Sequence, residues 1–199
     1  QQITPFKVLI TAQSIEGNID GFLSGLDVLV LNIPPKLRGP QTESFVDKIY
    51  RLLPAIEQAS VKHVLLISST SVYGDMQGMV DEQTQPKPST ESGKQLLEVE
   101  QLIKKNPSFK TTILRFGGLI GEDRHPVRML SGRKNLKNGN APINLIHRKD
   151  CIGIIQAIVS QSVWGKTYCG VAPFHSSKKE YYTAQAIKHG LPIPEFSSE

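Results

Sequence analysis

Val64-Leu-Leu-Ile-Ser-Ser-Thr-Ser-Val-Tyr-Gly74 is the stretch that decides the fold. Its first half is an apolar run, which is typical of a strand buried on both faces of a parallel sheet. Its second half is a cluster of hydroxyl side chains that ends in a glycine. Ligands bind at the carboxyl ends of the strands in open α/β sheets, so we expect Ser69 to lie at a binding edge. The alternative is that the hydroxyls only satisfy backbone groups of the turn.

Short apolar runs alternate with amphipathic segments on both sides of this stretch, which predicts βαβ winding. Strands are predicted at 6–11, 28–31, 64–68, 111–115 and 165–171, and helices at 42–60, 92–105, 149–161 and 178–189. The first two strands are expected to be buried. Pro54 lies inside the first helical pattern, so a kink or break is expected there. A chain of 199 residues without an internal linker suits one domain.

The composition argues against several classes of partner. A formal net charge of +5 suits an anionic ligand such as a dinucleotide or a nucleotide sugar. No basic block is interleaved with aromatic residues, so we do not expect nucleic-acid binding. No run of about eighteen apolar residues occurs and no charged-then-apolar leader opens the chain, so we expect no membrane partner.

The two cysteines indicate the compartment. Cys151 and Cys169 lie outside any Cys-x-x-Cys motif, and no carboxylate–histidine set has the spacing of metal ligands. Isolated cysteines in a domain without a disulfide framework are typical of a reducing compartment. We therefore expect a soluble, cytoplasmic protein without a metal site.

A second motif, Pro88-Ser-Thr-Glu-Ser-Gly-Lys94, opens the helix predicted at 92–105. With the first stretch it resembles the active-site half of the extended or atypical short-chain dehydrogenases/reductases, the NAD(P)-dependent epimerase/dehydratase family. The segments Leu114-Arg-Phe-Gly-Gly-Leu-Ile-Gly121 and Asn144-Leu-Ile-His-Arg-Lys-Asp150 follow in the family's order. The resemblance implies an α/β fold with a Rossmann-like doubly wound parallel sheet. It implies a single NAD(P)-binding domain over 1–199, whose small C-terminal substrate lobe is formed mainly by 117–143 and 166–199.

The phosphate-binding loop of such domains has no counterpart in this sequence. A dinucleotide-binding unit normally opens with a strand running into Gly-x-Gly-x-x-Gly at the start of a helix. No such pattern occurs, so we expect the sheet to be N-terminally incomplete. Either the sequence lacks roughly forty to fifty residues of a longer protein, which we favour, or the fold has dispensed with this unit. NAD or NADP is expected for the full-length protein, with weak or no binding by this chain alone.

The resemblance implies a catalytic set with one substitution. In the family a serine at the position of Ser69 positions the substrate hydroxyl, and a lysine at that of Lys94 holds the nicotinamide ribose and lowers the pKa of a tyrosine. Thr90 occupies the tyrosine position. An aliphatic hydroxyl is not a plausible base, so Thr90 either contacts ligand or caps the following helix. Lys94 could also be a solvated helix residue, and Tyr73 is the nearest phenol, expected to pack instead.

Cofactor and substrate contacts follow from the same resemblance. Asn32 and Pro34 lie in the loop after the strand at 28–31 and are candidate cofactor contacts, together with Ser68, Lys94 and Phe116. Simple termination of the strand by proline is the alternative for that loop. In the lobe, the candidate substrate contacts are Arg124, His125 and Arg128, because guanidinium groups bind phosphate in a bidentate manner. Solvated loop arginines are the alternative, and His125 is the best replacement acid or base by its pKa.

Two further segments carry histidine or acidic residues, and we do not expect either segment to contact substrate. His147 and Asp150 should join the start of the helix at 149–161 to the sheet. Asp81 and Glu82 lie in an acidic, proline-containing loop that we expect to be solvated.

Three functions are compatible with these features. The first is an oxidoreductase or isomerase acting on a nucleotide-linked or similar polyol substrate, such as a nucleoside-diphosphate-sugar epimerase/dehydratase that lacks the usual tyrosine. The second is a catalytically silent NAD(P)-binding sensor or scaffold, and the third is a basic binding module without a cofactor. By family likeness, the helices near 42–60 and 89–105 are expected to pair across a two-fold axis in a homodimer.

Overall fold

The structure of the protein is a computed structural model that describes residues 3–37, 43–75 and 78–197. Its strands are β1 (Val8–Ile10), β2 (Ile15–Gly17), β3 (Val28–Leu31), β4 (His63–Ser69), β5 (Lys110–Phe116), β6 (Gly118–Ile120), β7 (Leu145–His147) and β8 (Thr167–Gly170). Its helices are α1 (Ile19–Leu23), α2 (Phe45–Gln58), α3 (Glu91–Lys104), α4 (Pro126–Leu130), α5 (Arg148–Ser160) and α6 (Lys178–Lys188), with a 3-10 turn at Thr70–Tyr73. Within the described ranges, none of these helices combines the length and the apolar character needed to cross a bilayer.

The chain divides into two compact units. The first consists of Gln1–Arg115 and Ala157–Cys169, and the second consists of Phe116–Gln156 and Gly170–Glu199. The second unit contains most of the residues that the sequence assigns to a substrate-side lobe. That this unit binds substrate stays a prediction.

The first unit is built on a four-stranded parallel sheet in the order β3, β4, β5, β8. β3 pairs in parallel with β4 from Val28 opposite His63 to Leu31 opposite Leu66. Val64, Leu65 and Leu66 of β4 are buried and Ile67 is half-buried. The apolar faces of α2 and α3 pack on the same hydrophobic core as Val64 and Leu66. This topology confirms the predicted α/β, Rossmann-like class, because parallel neighbours need helical crossovers.

Two local predictions in this unit are wrong. The run at 6–11 is not a buried strand, because β1 covers three residues and leaves Leu9 54% exposed. Among the residues that the structure describes, β1 pairs with β2 in a two-stranded antiparallel hairpin. Thr11 closes that hairpin by accepting the backbone N–H of Ser14 at 2.8 Å. The expected break at Pro54 is wrong, because α2 continues through this residue, and the alternative of a kink stays a prediction. Pro54 is exposed, so water can solvate the carbonyl of the exposed Tyr50 that loses its helical partner.

The second unit contains a small parallel pair of strands with helices beside it. β6 pairs with β7 from Gly118 opposite Leu145 to Ile120 opposite His147. Its core joins α4, β7 and α6 through five buried residues, Val127, Ile143, Leu145, Tyr182 and Ala186. The segment predicted as a loop around His125 forms the short helix α4, whose N-cap is His125 itself.

Candidate functional site

The first candidate site lies where β4 ends. Ser69 is the last residue of β4, and its Oγ accepts the backbone N–H of Ser71 at 3.1 Å as the cap of the 3-10 turn. The side chain is half-buried, and its own hydroxyl proton is donated to no residue in the described part of the chain. Ser69 therefore fills the turn role that the sequence left open while keeping a donor for a ligand.

Thr90 has the capping role that the sequence analysis gave as one of two alternatives. It is the N-cap of α3, and its Oγ1 accepts the backbone N–H of Gly93 at 3.1 Å. The side chain is exposed. An alcohol in this position completes the helix start and has no acidity to offer near neutral pH.

Gly93 brings the start of α3 against the hydroxyl turn. A Cβ at this position would lie 2.7 Å from the carbonyl oxygen of Ser71 and 3.0 Å from Cβ of Pro88. Only glycine permits that approach, which places the first turn of α3 beside the turn that follows Ser69. Sequence reasoning did not single out Gly93. The available signal was a glycine in the first turn of an otherwise regular helix.

Lys94 follows Gly93 and is exposed. Among the residues that the structure describes, no carboxylate forms an ion pair with it. Its ammonium group is therefore available to an anionic or hydroxyl-bearing ligand at the same edge as Ser69, although no bond joins the two side chains directly.

A buried polar network lies directly behind this edge. Glu100 on α3 accepts the Oγ–H of Ser68 at 2.6 Å. It also accepts two N–H groups of Arg115 on β5, at 3.0 and 2.6 Å. Burial opposes the charge of Arg115, but the bonds to Glu100 outweigh it and hold the guanidinium pKa above its usual value. Ser68 was predicted to contact cofactor. In the structure its hydroxyl group donates to Glu100, and a contact between Ser68 and the cofactor stays a prediction.

Tyr73 belongs to the same network. Arg115 donates to its hydroxyl oxygen at 2.7 Å, and the Sγ of Cys169 lies 3.3 Å from that oxygen. Burial and the contact with Cys169 raise the pKa of Tyr73 to about 12, so the phenol is a poor acid–base group near neutral pH. Glu82 accepts the backbone N–H of Cys169 at 2.8 Å. Glu82 is nevertheless exposed, as is Asp81, which agrees with the expectation of a solvated loop.

The remaining predicted cofactor contacts are spread over both units. Asn32 directly follows β3 and is exposed, as is Pro34. The pairing of Leu31 with Leu66 places Asn32 at the same edge of the first unit as the end of β4. Phe116 is buried at the end of β5, and in the second unit a Cβ on Gly170 would lie 2.6 Å from its ring. Packing accounts for Phe116, and contact with a cofactor stays a prediction for all three.

The predicted substrate contacts lie in the second unit and are only partly brought together. His125 and Arg128 line a cavity of about 310 Å³. Arg124 is exposed and is not among the residues that line this cavity. Its backbone closes a turn with Gly121. His147 lines the same cavity, and its Nδ1 accepts the N–H of Lys149 at 3.2 Å. That bond confirms the expected structural role of His147 at the start of α5.

Comparison with known proteins gives the family. The model of the NAD dependent epimerase/dehydratase family matches residues 41–158. Protein YeeZ of Escherichia coli (strain K12) is 35% identical over 174 residues, which are 87% of this chain and 63% of that protein. The chain thus spans less than two thirds of this curated relative.

Two solved structures show the same fold. MoeE5 in complex with UDP-glucuronic acid and NAD matches with a TM-score of 0.77 and 21% identity, over 94% of this chain and 70% of that one. UDP-glucuronic acid 4-epimerase from Bacillus cereus in complex with NAD matches with a TM-score of 0.72 and 21% identity, over 89% and 64%. The sheet order, the hydroxyl turn after β4 and the family match agree, and the chain belongs to the NAD dependent epimerase/dehydratase family.

Proposed function

We propose that the protein is an NAD(P)-dependent epimerase/dehydratase acting on a nucleoside-diphosphate sugar, without a catalytic tyrosine at the usual position. The observation that supports the proposal is the close approach of Gly93, the neighbour of Lys94, to the carbonyl of Ser71, two residues after Ser69. Both structural relatives described above were solved with NAD, and MoeE5 also with a UDP-sugar. Family membership supports the same class of ligand.

The described residues fit the ribose side of a dinucleotide. Lys94 has an exposed ammonium group, and Ser69 keeps a hydroxyl proton at the carboxyl edge of the sheet. Lys94 would bind the ribose hydroxyls, Ser69 would orient the substrate hydroxyl, and Asn32 would contact the cofactor from the end of β3. The nicotinamide ring, when bound, supplies the hydride acceptor. The pyrophosphate needs backbone donors of a glycine-rich loop, which this sequence does not contain, so weak binding by these 199 residues alone is part of the proposal.

Proton transfer is the step in which this chain departs from the family pattern. Thr90 is exposed and accepts the N–H of Gly93, and Tyr73 has its hydroxyl in the buried network. Neither group can exchange a proton with substrate near neutral pH in the way a phenol of lowered pKa does. Turnover is therefore expected to be slow compared with a tyrosine-containing relative.

The capping role of Thr90 favours a second candidate function. A catalytically silent NAD(P)-binding sensor or scaffold would keep the residues that bind ribose and lose the one that moves the proton. The exposed side chain of Lys94 and the capping role of Thr90 support this candidate. The two candidates differ in a single measurable property, which is turnover with cofactor bound.

The experiment is a screen of the full-length protein with NAD(H) and NADP(H) against UDP-glucose and UDP-glucuronic acid, followed by nicotinamide absorbance. Turnover that is lost in Ser69→Ala and kept in the control Ser160→Ala supports the enzyme. Tight cofactor binding without turnover, weakened by Lys94→Gln but not by Lys104→Gln on the same helix, supports the silent binder. No cofactor binding by the full-length protein would contradict both.

A homodimer in the cytoplasm completes the proposal. α2 and α3 lie side by side, with a surface groove between them lined by Tyr50, Leu102 and polar neighbours. Pairing of these helices across a two-fold axis would cover the groove. A monomer at high concentration in sedimentation equilibrium would contradict the dimer. The cytoplasmic location rests on the two isolated, free cysteines.

A further inference from the structure

The cavity of the second unit lies at the carboxyl ends of its two parallel strands. Ile120 ends β6, His147 ends β7, and both line the cavity. The other walls come from α4 and α6. Its volume of about 310 Å³ is at the lower end of the range for small-molecule sites, which begins at about 300 Å³. Parallel strands present ligands at this end.

Basic side chains converge on this cavity. Arg128 on α4 and Lys188 on α6 contribute a guanidinium and an ammonium group, and three imidazoles join them, those of His125, His147 and His189. Among the lining residues that the structure describes, Glu122 is the only carboxylate. Its Oε1 lies 3.1 Å from Nζ of Lys149, so its charge is already balanced outside the cavity. The lining therefore has a positive excess.

The hydrogen bonds of His125 determine which proton faces the cavity. The backbone N–H of Val127 donates to Nδ1 at 3.2 Å, so Nδ1 must be the unprotonated nitrogen of a neutral ring. Nε2 then carries the hydrogen and donates to the hydroxyl oxygen of Tyr181 at 3.0 Å. Tyr181 lines the cavity, and none of the described residues accepts its own O–H. His125 thus leaves Tyr181 as a hydrogen-bond donor to a ligand.

The electrostatics of the cluster point in the same direction. Burial, together with the charges of His189, Arg128 and Lys188, lowers the pKa of His125 below its usual value. The rings of His125 and His189 have centroids 5.9 Å apart. The charges of Arg128 and Lys188 beside these rings favour an anion in the cavity. No three His, Cys, Asp or Glu side chains of the described ranges are placed to hold a metal ion, so the cluster fits an anion and not a cation.

We propose that this cavity binds a phosphate monoester or free phosphate, held by Arg128, Lys188 and the hydroxyl of Tyr181. Three donors of this kind match the tetrahedral oxygens of a phosphate, and two of them give charge-assisted bonds. The site uses none of the residues assigned to NAD(P) and can be tested without cofactor. It includes Arg128 and His125, the candidate substrate contacts, and gives them a phosphate monoester or free phosphate as ligand in place of a nucleoside-diphosphate sugar.

The experiment is an NMR titration of the protein with inorganic phosphate at pH 7.5, followed by the imidazole signals of its five histidines. His125, His147 and His189 are expected to shift together and to saturate, because they line the cavity. His63 and His175 line no part of it and serve as internal controls. Shifts of equal size at all five histidines, or shifts that do not saturate, would overturn the proposal.

Variants and a change of ligand sharpen the result. Arg128→Gln, Lys188→Gln and Tyr181→Phe should each weaken phosphate binding, the two charge removals by about tenfold or more. Lys179→Gln, on the same helix but outside the cavity, should leave the affinity unchanged. Tighter binding of glucose 1-phosphate than of inorganic phosphate identifies an organic monoester as the ligand, and equal affinity identifies free phosphate. If UDP-glucose shifts the histidine signals and neither inorganic phosphate nor glucose 1-phosphate does, the proposed monoester site is refuted.

Discussion

The buried pair of Arg115 and Glu100 is the most consequential feature to perturb. Their side chains are 7% and 3% exposed, and Nη2 of Arg115 lies 2.6 Å from Oε2 of Glu100. Arg115→Met keeps much of the apolar volume and removes the charge. Glu100 then keeps the bond from Ser68 but loses both bonds from the guanidinium group, and Tyr73 loses the donor at 2.7 Å.

The size of the effect follows from these contacts. Removing one partner of a buried ion pair leaves a desolvated charge and costs about 3–5 kcal/mol. For a chain of 199 residues, each kcal/mol corresponds to about 2–4 °C in melting temperature, so Arg115→Met should melt about 6–20 °C lower. The double variant Glu100→Met with Arg115→Met removes both charges and should recover most of this loss.

Thermal and urea unfolding, followed by circular dichroism, would measure both variants. Lys62→Gln is the matched control, because Lys62 pairs with Asp27 where both side chains are about 70% exposed, and it should leave the melting temperature unchanged. A single variant that melts within 2 °C of the wild type would refute the reasoning. So would a double variant less stable than the single one.

Three further predictions concern glycine, the helix cap and one histidine. Gly93→Ala should lower the free energy of unfolding by about 1–3 kcal/mol, since its Cβ would meet the rigid carbonyl of Ser71. The control Gly153→Ala lies in α5 with open space around it and should raise the free energy of unfolding by up to about 1 kcal/mol. Urea unfolding would measure both variants. Thr90→Val should lose about 1 kcal/mol through loss of the cap while Thr90→Ser should not, and equal stability of the two variants would contradict the capping role. The lowered pKa of His125 means that the unfolded chain binds a proton first as pH falls, so stability should be lost progressively below about pH 6.5. Urea unfolding at pH 7.5 and 5.5 should show a smaller decline for His125→Gln than for the wild type, and identical declines would count against this assignment.

Most elements of the fold could be predicted from the sequence because their signals are local. The apolar run of β4 and the helical spacing of α2 each depend on residues only a few positions apart, and their observed bounds differ from the predicted ones by one to three residues. The errors share a cause. A short apolar run such as that of β1 does not reveal whether its partner is a buried sheet or a neighbouring hairpin strand. The effect of Pro54 depended on which side of α2 faced water.

The sequence by itself determined the position of the hydroxyl cluster after β4 and the order of the family motifs, and it offered Thr90 as the cap of α3, since turn chemistry and capping act over about four residues. Only the tertiary structure decided that Glu100 holds Arg115 and Ser68, that Gly93 meets Ser71, and that His125 meets a tyrosine 56 positions away. These contacts require the path of the chain through the sheet, and no local pattern encodes which distant side chain completes a buried charge or faces a cavity.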